Sequence, residues 1–328
     1  MTGDDVVVPA AGASSAADRP AAGPPRRRPR RTPARRTEAV AGFVFLLPWL
    51  IGFIGLTLFP MIASLYLSFT KYDLLSSPVW IGLQNYIDLF HDERYLASVR
   101  VTLFYVFVSV PLKVAFALLL ATLLNRGLRG LNVYRSIYYL PSLLGASVAV
   151  AVLWRQLFSG QGLVNSVLRL LGWQSPPDWL ANPHTAIYTL ILLSVWEFGS
   201  PMIIFLAGLR QIPAEYYEAA RVDGASWMQQ FFRITFPLLT PLVFFNLVLQ
   251  VIGGFQSFTQ SYVISGGSGG PVDSTLLYSL YLYQQAFGLL HMGYGTAMAW
   301  VLLLAIAIFT TGFFLTSRYW VFYMDRSK

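Results

Sequence analysis

Six long apolar segments constrain this chain more than any other feature of its sequence. A membrane-crossing helix needs roughly 20 predominantly apolar residues, and lipid leaves helices and closed barrels as the structures that satisfy the whole backbone. Segments of sufficient length lie between charged loops, at about 40–69, 101–124, 137–158, 185–209, 238–258 and 295–315. The sequence therefore predicts an all-α, polytopic integral membrane protein with six transmembrane helices.

Composition excludes several other classes of protein. Hydrophobic residues make up 55% of the chain and charged residues 12%, which is far from the balance of soluble domains. Cysteine is absent, and the three histidines (His91, His184, His291) lie in separate loops without the spacing of metal ligands. No Gly-x-x-x-x-Gly-Lys-Ser/Thr loop, Gly-x-Ser-x-Gly or His-Glu-x-x-His occurs. We therefore expect no metal, no catalytic residues and no ATP-binding site in this chain.

Residues 1–37 form a compositionally distinct tail that is rich in Ala, Pro and Arg. Such a segment has too little apolar surface to build a core, so we expect it to be disordered. A solvated tail that fixes topology is the favoured interpretation, and binding to anionic lipid headgroups is the alternative. The membrane domain is then 38–328.

Basic residues are distributed unevenly between the two sides of the predicted bundle. The side of the tail also carries Arg126, Arg129, Arg135, Arg210, Arg221, Arg233, Arg318, Arg326 and Lys328. The opposite side carries a shorter set: Lys71, Arg94, Arg100, Arg155 and Arg169. Because cytoplasmic loops are enriched in Lys and Arg, this pattern places both termini and the loop 210–237 in the cytoplasm. The basic residues flank apolar segments, so nucleic-acid binding is not indicated.

Two ionisable residues fall inside the apolar segments. Lys113 follows Pro111 in the second segment, and Glu197 follows Trp196 in the fourth. Charged groups at membrane depth face a cavity or a partner. For Glu197 three alternatives are open: it binds a ligand (sugar hydroxyls or a cation), it pairs with Lys113 as a structural bridge, or it lies near the outer interface. For Lys113, snorkelling or bonding to backbone carbonyls is the favoured role.

Polar and aromatic breaks interrupt the fourth and fifth segments. The stretches 198–201 (Phe-Gly-Ser-Pro) and 253–260 (Gly-Gly-Phe-Gln-Ser-Phe-Thr-Gln) are both expected to bend or unwind a helix. On a helix, Gln256 and Thr259 would share a face with Phe255. Amide and hydroxyl groups beside aromatic rings suit a polyol, and helix–helix packing explains the same residues equally well.

The polar loop 216–237 carries its own helix signals. They are Pro213, Glu215 and Glu218 for a first turn, Gly224 for a helix end, and Ser226 with Gln229 for a capping box. They predict two short helices, with Pro237 opening the next span. The loop is either a structured connector or a docking element.

The same loop carries a spaced signature. It reads Glu218-Ala219-Ala220, three residues, Gly224, nine residues, and Ile234-Thr235-Phe236-Pro237. This resembles the cytoplasmic Glu-Ala-Ala loop of permease subunits of binding-protein-dependent ABC importers, with Phe236 in place of leucine. The resemblance covers about 43–325. The sequence segments 81–86 and 269–271 are similar to those of the carbohydrate-uptake branch of this family, especially the first permease of the maltose, lactose and glycerol-phosphate type.

The resemblance implies a type I ABC importer permease fold in a bacterial cytoplasmic (inner) membrane. Implied partners are a second homologous permease, two ATPase subunits that carry ATP and Mg, an extracytoplasmic sugar-binding protein, the sugar and membrane lipid. It assigns ATPase coupling to Glu218, Ala219, Ala220, Arg221, Asp223, Gly224, Ile234 and Pro237. It assigns the substrate pathway to Phe198, Gly199, Phe255, Gln256 and Thr259, and Glu197 is added to this set because it is an ionisable residue inside the fourth segment. The chain itself would be a translocation subunit rather than an enzyme.

One alternative function remains at this point. A secondary transporter driven by an ion gradient would use Glu197 and Lys113 as coupling charges. Six segments without a clear inverted repeat make it the weaker interpretation. A membrane-embedded enzyme is weaker still, because the sequence contains no catalytic constellation.

Overall fold

A computed structural model describes residues 33–125, 131–145 and 147–322. Its helices are α1 (Pro33–Phe53), α2 (Phe59–Ser68), α3 (Gln84–His91), α4 (Glu93–Leu124), α5 (Leu131–Leu144), α6 (Val148–Leu157), α7 (Leu163–Leu170), α8 (Ala186–Trp196), α9 (Gly199–Leu209), α10 (Ala214–Val222), α11 (Trp227–Gln230), α12 (Phe236–Phe255), α13 (Thr259–Ser265), α14 (Tyr278–Tyr283) and α15 (Met292–Trp320). Short π-helical turns lie at Ile54–Leu58, Phe231–Thr235 and Gln284–Gly288, and a 3₁₀ turn at Pro271–Asp273. Strands β1 (Thr70–Lys71) and β2 (Val79–Trp80) pair antiparallel.

The predicted tail lies largely outside the described residues, which begin at 33. Helix α1 begins at Pro33, within the segment 1–37 that was expected to be disordered. Several basic residues used for the topology prediction also lie outside the described ranges: Arg126, Arg129, Arg326 and Lys328. The described residues from Pro60 onward form a compact unit of their own, and the sites below all lie within it.

The all-α membrane architecture is confirmed. Within the described residues, five helical segments are long and apolar enough to cross a membrane: Gly42–Ser68, Glu93–Leu124, Ala186–Leu209, Trp227–Phe255 and Met292–Trp320. The segment predicted as the third span is instead a pair of helices, Val133–Leu144 and Val148–Leu157, that meet at 95°. Counted as one broken span, this pair brings the total to six.

The break in the third span has a local cause. Pro141 lies inside α5 and lacks the N–H that a helix interior needs. Ser147 then adopts an extended conformation, and its hydroxyl accepts the N–H of Val150 at 3.3 Å, which caps a new helix. Gly145 therefore lies at a corner between α5 and α6 and not inside a straight span.

Helix α4 is the central element of the larger unit. It packs against α8, α9 and α12, and its buried face includes Ala117 and Ala121, both with 0% exposure. Small side chains let neighbouring helices approach closely, as is usual in membrane bundles. The same buried side carries Lys113, whose residue is 8% exposed. The fold thus places the ammonium group of Lys113 in the interior of the bundle.

A carboxylate at the start of α4 ties two later helices to it. Asp92 caps α4 by accepting the N–H groups of Arg94 and Tyr95 at 2.9 and 3.1 Å. The hydroxyls of Tyr281 and Tyr294 also donate to Asp92. Burial alone would raise the pKa of Asp92, but the two tyrosine hydroxyls and the backbone amides outweigh it and lower that pKa below its ordinary value.

This arrangement predicts acid sensitivity at the end of the bundle where α4 begins. A carboxylate with a lowered folded pKa stabilises the protein above its unfolded pKa, and this contribution is lost as pH falls through the folded value. We expect the melting temperature to drop between about pH 6 and about pH 3 by more in the wild type than in Asp92→Asn. Asp88→Asn, which removes an exposed carboxylate on α3, should keep the wild-type acid sensitivity. Equal acid sensitivity of Asp92→Asn and the wild type would contradict the assignment.

Candidate functional site

The loop between the fourth and fifth spans is built around helix α10. Pro213 is the residue just before this helix and not part of its first turn, and Glu215 lies in that turn, where the helix dipole favours an acid. Every residue of α10 is at least partly exposed, and Glu218 is exposed. The helix thus presents a carboxylate to whatever lies outside the chain.

Gly224 ends α10 in a Schellman turn. Its φ is +76°, the N–H of Gly224 donates to Arg221 O at 3.0 Å, and the N–H of Ala225 donates to Ala220 O at 2.8 Å. These are the two bonds that define this cap. A Cβ at Gly224 would meet no atom within 4 Å, so the backbone conformation, and not space, requires glycine here.

Gly224→Ala should therefore loosen α10 without a steric clash. A left-handed conformation costs a residue with a Cβ about 1 kcal/mol, which corresponds to roughly fivefold faster amide exchange of α10 if the turn opens locally. Hydrogen exchange measured by mass spectrometry would detect this change. The control is Gly312→Ala in α15, because Gly312 also has open space around it but has an ordinary φ. This substitution should leave the amide exchange of its own helix unchanged or slower. Identical exchange of α10 in wild type and Gly224→Ala would contradict the argument.

The second half of the loop merges with the fifth span. The predicted capping box is present: Ser226 N–H donates to Gln229 Oε1 at 2.7 Å, and Gln229 N–H donates to Ser226 Oγ at 3.4 Å. As expected, α11 is a short helix and Pro237 lies at the start of α12, but a π-helical turn joins the two helices, so the apolar span is continuous from Trp227 to Phe255. The π-helical turn Phe231–Thr235 changes the hydrogen-bond spacing just before Pro237. Pro237 has no backbone N–H, and it lies in the first turn of α12, where proline is tolerated.

The signature residues divide between an inner and an outer surface. Tyr217 and Thr235 share a hydrogen bond of 2.9 Å between their hydroxyls, which joins α10 to the π-helical turn. Beside it lies a cavity of about 420 Å³ lined by Tyr216, Ala219, Arg233, Ile234, Pro237, Leu238 and Phe322. Glu218, Arg221, Asp223 and Gly224 do not line it and are exposed. Ala220 is half-buried and supplies the carbonyl of the Schellman turn.

Apolar side chains of the loop also face outward. Val222 is 89% exposed, Met228 55% and Trp227 48%. Charged and large apolar groups exposed together in a compact polar loop are typical of a protein–protein contact surface. The geometry therefore favours the docking interpretation of this loop over that of a plain connector.

The break in the fourth span overlaps the predicted stretch 198–201 only at Phe198, since 199–201 are helical. Helix α8 ends at Trp196 and α9 begins at Gly199. Ser142 Oγ donates to the carbonyl of Glu197 at 2.9 Å and accepts the N–H of Ser200 at 2.9 Å. Gly199 is packed so tightly that a Cβ there would lie 2.7 Å from Tyr138 O. The break thus fits against α5 through glycine and a bridging hydroxyl.

The carboxylate of Glu197 points into a polar cavity in the bundle. Its Oε2 lies 3.7 Å from Lys113 Nζ, and Gln260 Nε2 donates to its Oε1 at 3.1 Å. The cavity is about 150 Å³ and is lined by Tyr105, Val110, Lys113, Ser194, Glu197, Gln250, Gly253, Gly254, Ser257 and Gln260. The Glu197–Lys113 pair predicted as one alternative is therefore present, and contact of Glu197 with a ligand stays a prediction.

The other predicted pathway residues lie around this cavity and do not line it. Phe198 and Phe255 are buried in aromatic contacts, with Phe116 at 5.0 Å and Phe309 at 5.2 Å between ring centroids. The expectation that Gln256 and Thr259 share a helical face with Phe255 is wrong, because α12 ends at Phe255 and α13 begins at Thr259. Gly199 packs on α5 instead, as described above.

Sequence reasoning missed several of the cavity residues. Gln250, Gly253 and Gly254 recur at helical spacing along α12, which is a signal that could have identified one polar face. Ser257 and Gln260 lie beyond the end of α12, so periodicity could not have placed them. Their positions depend on the turn between α12 and α13.

Comparisons with known proteins agree on one family. Residues 90–326 match the family described as binding-protein-dependent transport system inner membrane component. The probable ABC transporter permease protein YesP of Bacillus subtilis (strain 168) is 52% identical over 294 residues, 89% of this chain and 95% of that protein. The arabinooligosaccharides transport system permease protein AraP of the same organism is 36% identical over 278 residues, 83% of this chain and 87% of that protein. In a solved bacterial alginate ABC transporter, in complex with alginate pentasaccharide-bound periplasmic protein, one chain shares the fold with a TM-score of 0.74 at 22% identity, covering 87% of this chain and 96% of that chain.

Proposed function

The chain belongs to the family of binding-protein-dependent transport system inner membrane components, and on this basis we propose that it is the permease subunit of an ABC importer that takes up a sugar or oligosaccharide. With a second, homologous permease it would enclose the translocation pathway. Two separate ATPase subunits would supply ATP hydrolysis with Mg, and an extracytoplasmic binding protein would deliver the sugar. Both termini would lie in the cytoplasm of a bacterial inner membrane.

The exposed loop centred on α10 is the observation that carries this proposal. It is held in shape by a Schellman turn, a capping box and the Tyr217–Thr235 hydrogen bond. It therefore does not depend on a partner for its own fold, yet it presents Glu218 and the exposed side chains of Val222 and Trp227. A rigid, exposed element that continues directly into a membrane span can transmit the movement of a docked subunit to that span.

Sugar as the substrate is supported by the relatives and by the polar cavity. AraP is named for arabinooligosaccharide transport, and the solved transporter holds an alginate-bound periplasmic protein. The cavity in this chain offers hydroxyl, amide, ammonium and carboxylate groups between the spans. Such mixed donors and acceptors suit a polyhydroxylated ligand.

Purification from the native host tests the assembly. The full chain, tagged and extracted in mild detergent, should bring down an ATPase identified by its phosphate-binding loop and a second permease of the same family. Deletion of the chain should abolish uptake of at least one sugar in a panel of neutral and acidic oligosaccharides. Uptake should persist when ion gradients are collapsed while ATP is maintained.

The opposite result would favour the ion-gradient alternative. Recovery of the chain without any ATPase, together with uptake that stops when the proton or sodium gradient collapses, would overturn the proposal. In that case Glu197 and Lys113 would be candidates for the coupling charges.

A further inference from the structure

Three helix breaks of this chain meet at one carboxylate. Glu197 itself lies in the break between α8 and α9. Gly145 lies in the break between α5 and α6, and Gln260 lies just beyond the break between α12 and α13. We define the Glu197 junction as Glu197 with Lys113, Ser142, Gly145 and Gln260.

Hydrogen bonds join the three breaks through the junction. Gln260 Nε2 lies 3.1 Å from Glu197 Oε1 and 3.4 Å from Gly145 O, so one amide reaches both of the other breaks. Ser142 Oγ donates to the backbone carbonyl of Glu197 on the opposite side. Residues 142, 197 and 260 are far apart in sequence, so these bonds fix tertiary positions that no single helix determines.

Packing in the junction is tight at Gly145. A Cβ at Gly145 would lie 2.3 Å from Glu197 Cγ and 2.5 Å from its Oε1. The glycine therefore admits the Glu197 side chain into the corner between α5 and α6. Lys113, from the central helix α4, balances its charge at 3.7 Å.

From these contacts we propose that Glu197 is a positioning residue that holds the three breaks together around the polar cavity. This inference rests on the proposed function, because the cavity is taken as part of the translocation pathway. A hydrogen bond to a charged acceptor stabilises a structure more than one between neutral groups. The conformation with the three breaks joined is therefore favoured, and conformations in which the cavity opens to water are less populated.

Cysteine labelling can measure the opening of the cavity directly. The chain contains 0 cysteines, so a single Ser257→Cys in the cavity lining reports on this position alone. The full chain would be labelled in native membranes with N-ethylmaleimide, and the modified fraction would be followed over time. This measurement requires neither sugar nor ATPase activity, so its failure is distinguishable from failure of the proposed function.

In this background we expect Gln260→Met to speed labelling roughly tenfold, the effect of losing one hydrogen bond to a charged group. Glu197→Gln should speed labelling by roughly severalfold, because the bond is then weakened to one between neutral amides. Glu93→Gln, which removes an exposed carboxylate at the start of α4, is the matched control and should not change the rate. The exchanged pair Glu197→Gln with Gln260→Glu restores an amide–carboxylate bond between the same two positions, and it should return the rate toward that of the parent. General destabilisation would instead make the exchanged pair label at least as fast as either single variant.

Unchanged labelling in Glu197→Gln and Gln260→Met would overturn the inference. Failure of the exchanged pair to slow labelling would also overturn it, since the residues would then matter for packing but not for their mutual bond. If Glu197→Gln does not accumulate in the membrane, the comparison of Gln260→Met with Glu93→Gln decides the question.

Discussion

Reversing the charge of Glu218 with Glu218→Lys is expected to release the ATPase and abolish sugar uptake while the chain still inserts in the membrane. Glu218 is exposed, and its side chain makes no hydrogen bond or ion pair with any other described residue from 33–125, 131–145 or 147–322. Its replacement should therefore change folding stability by no more than about 0.5 kcal/mol. A docked carboxylate that loses its partner and meets a like charge costs roughly 2–5 kcal/mol of binding, which weakens association about thirtyfold or more.

The measurement is the amount of ATPase that copurifies with equal amounts of tagged chain, together with the initial rate of uptake. Glu215→Lys is the matched control because it makes the same charge change one turn earlier on α10, where the residue is also exposed. We expect this control to retain most of the ATPase. Equal recovery of ATPase in Glu218→Lys and wild type would remove Glu218 from the docking surface, and equal loss in both variants would show that only the net charge of the loop matters.

The parts of this structure that the sequence predicted correctly depend on local physical chemistry. Hydrophobic length predicts a membrane helix because the cost of exposing backbone groups to lipid applies to every residue of the segment. The end of α10 at Gly224 and the capping box at Ser226 were predictable because each is a bond within a few residues of its own position. The family signature lies on these same residues, so the chemistry of the loop and the resemblance pointed to one site.

The errors arose where helices stop or bend. The third span breaks at Gly145, although its apolar length is sufficient for crossing, because Ser147 starts a new helix in a different direction. The face predicted for Phe255, Gln256 and Thr259 assumed that α12 continues, whereas it ends at Phe255. A pattern of apolar length and spacing predicts neither outcome, because it takes no account of the cap at Ser147 or of the end of α12.

The cavity could be predicted only in part for the same reason. Glu197 and Lys113 were identifiable as charges inside apolar segments, and their pairing was one of three alternatives. Gln260, 63 positions along the chain from Glu197, hydrogen-bonds the same carboxylate, and no spacing rule relates the two. Helix geometry selects polar partners along one element, but the junction is assembled from several elements.

Removing the ammonium of Lys113 is expected to destabilise the bundle, and removing the carboxylate of Glu197 as well should reverse most of that loss. The Lys113 and Glu197 side chains are 11% and 17% exposed, and both lie near the middle of their spans. Lys113→Met leaves a carboxylate without its counter-charge in the bundle interior, which costs on the order of 3 kcal/mol. The double variant Lys113→Met with Glu197→Gln leaves no charge to compensate, and an amide at 197 keeps a polar group beside Gln260.

Thermal unfolding of the purified chain distinguishes this charge pairing from simple loss of side-chain packing. We expect Lys113→Met to lower the melting temperature by roughly 5–10 °C and the double variant to recover at least about half of that change. Lys71→Met, which removes an exposed lysine, is the matched control and should stay close to wild type. A double variant less stable than Lys113→Met would mean that the effects of the two substitutions add, and that the carboxylate and the ammonium contribute independently to the bundle.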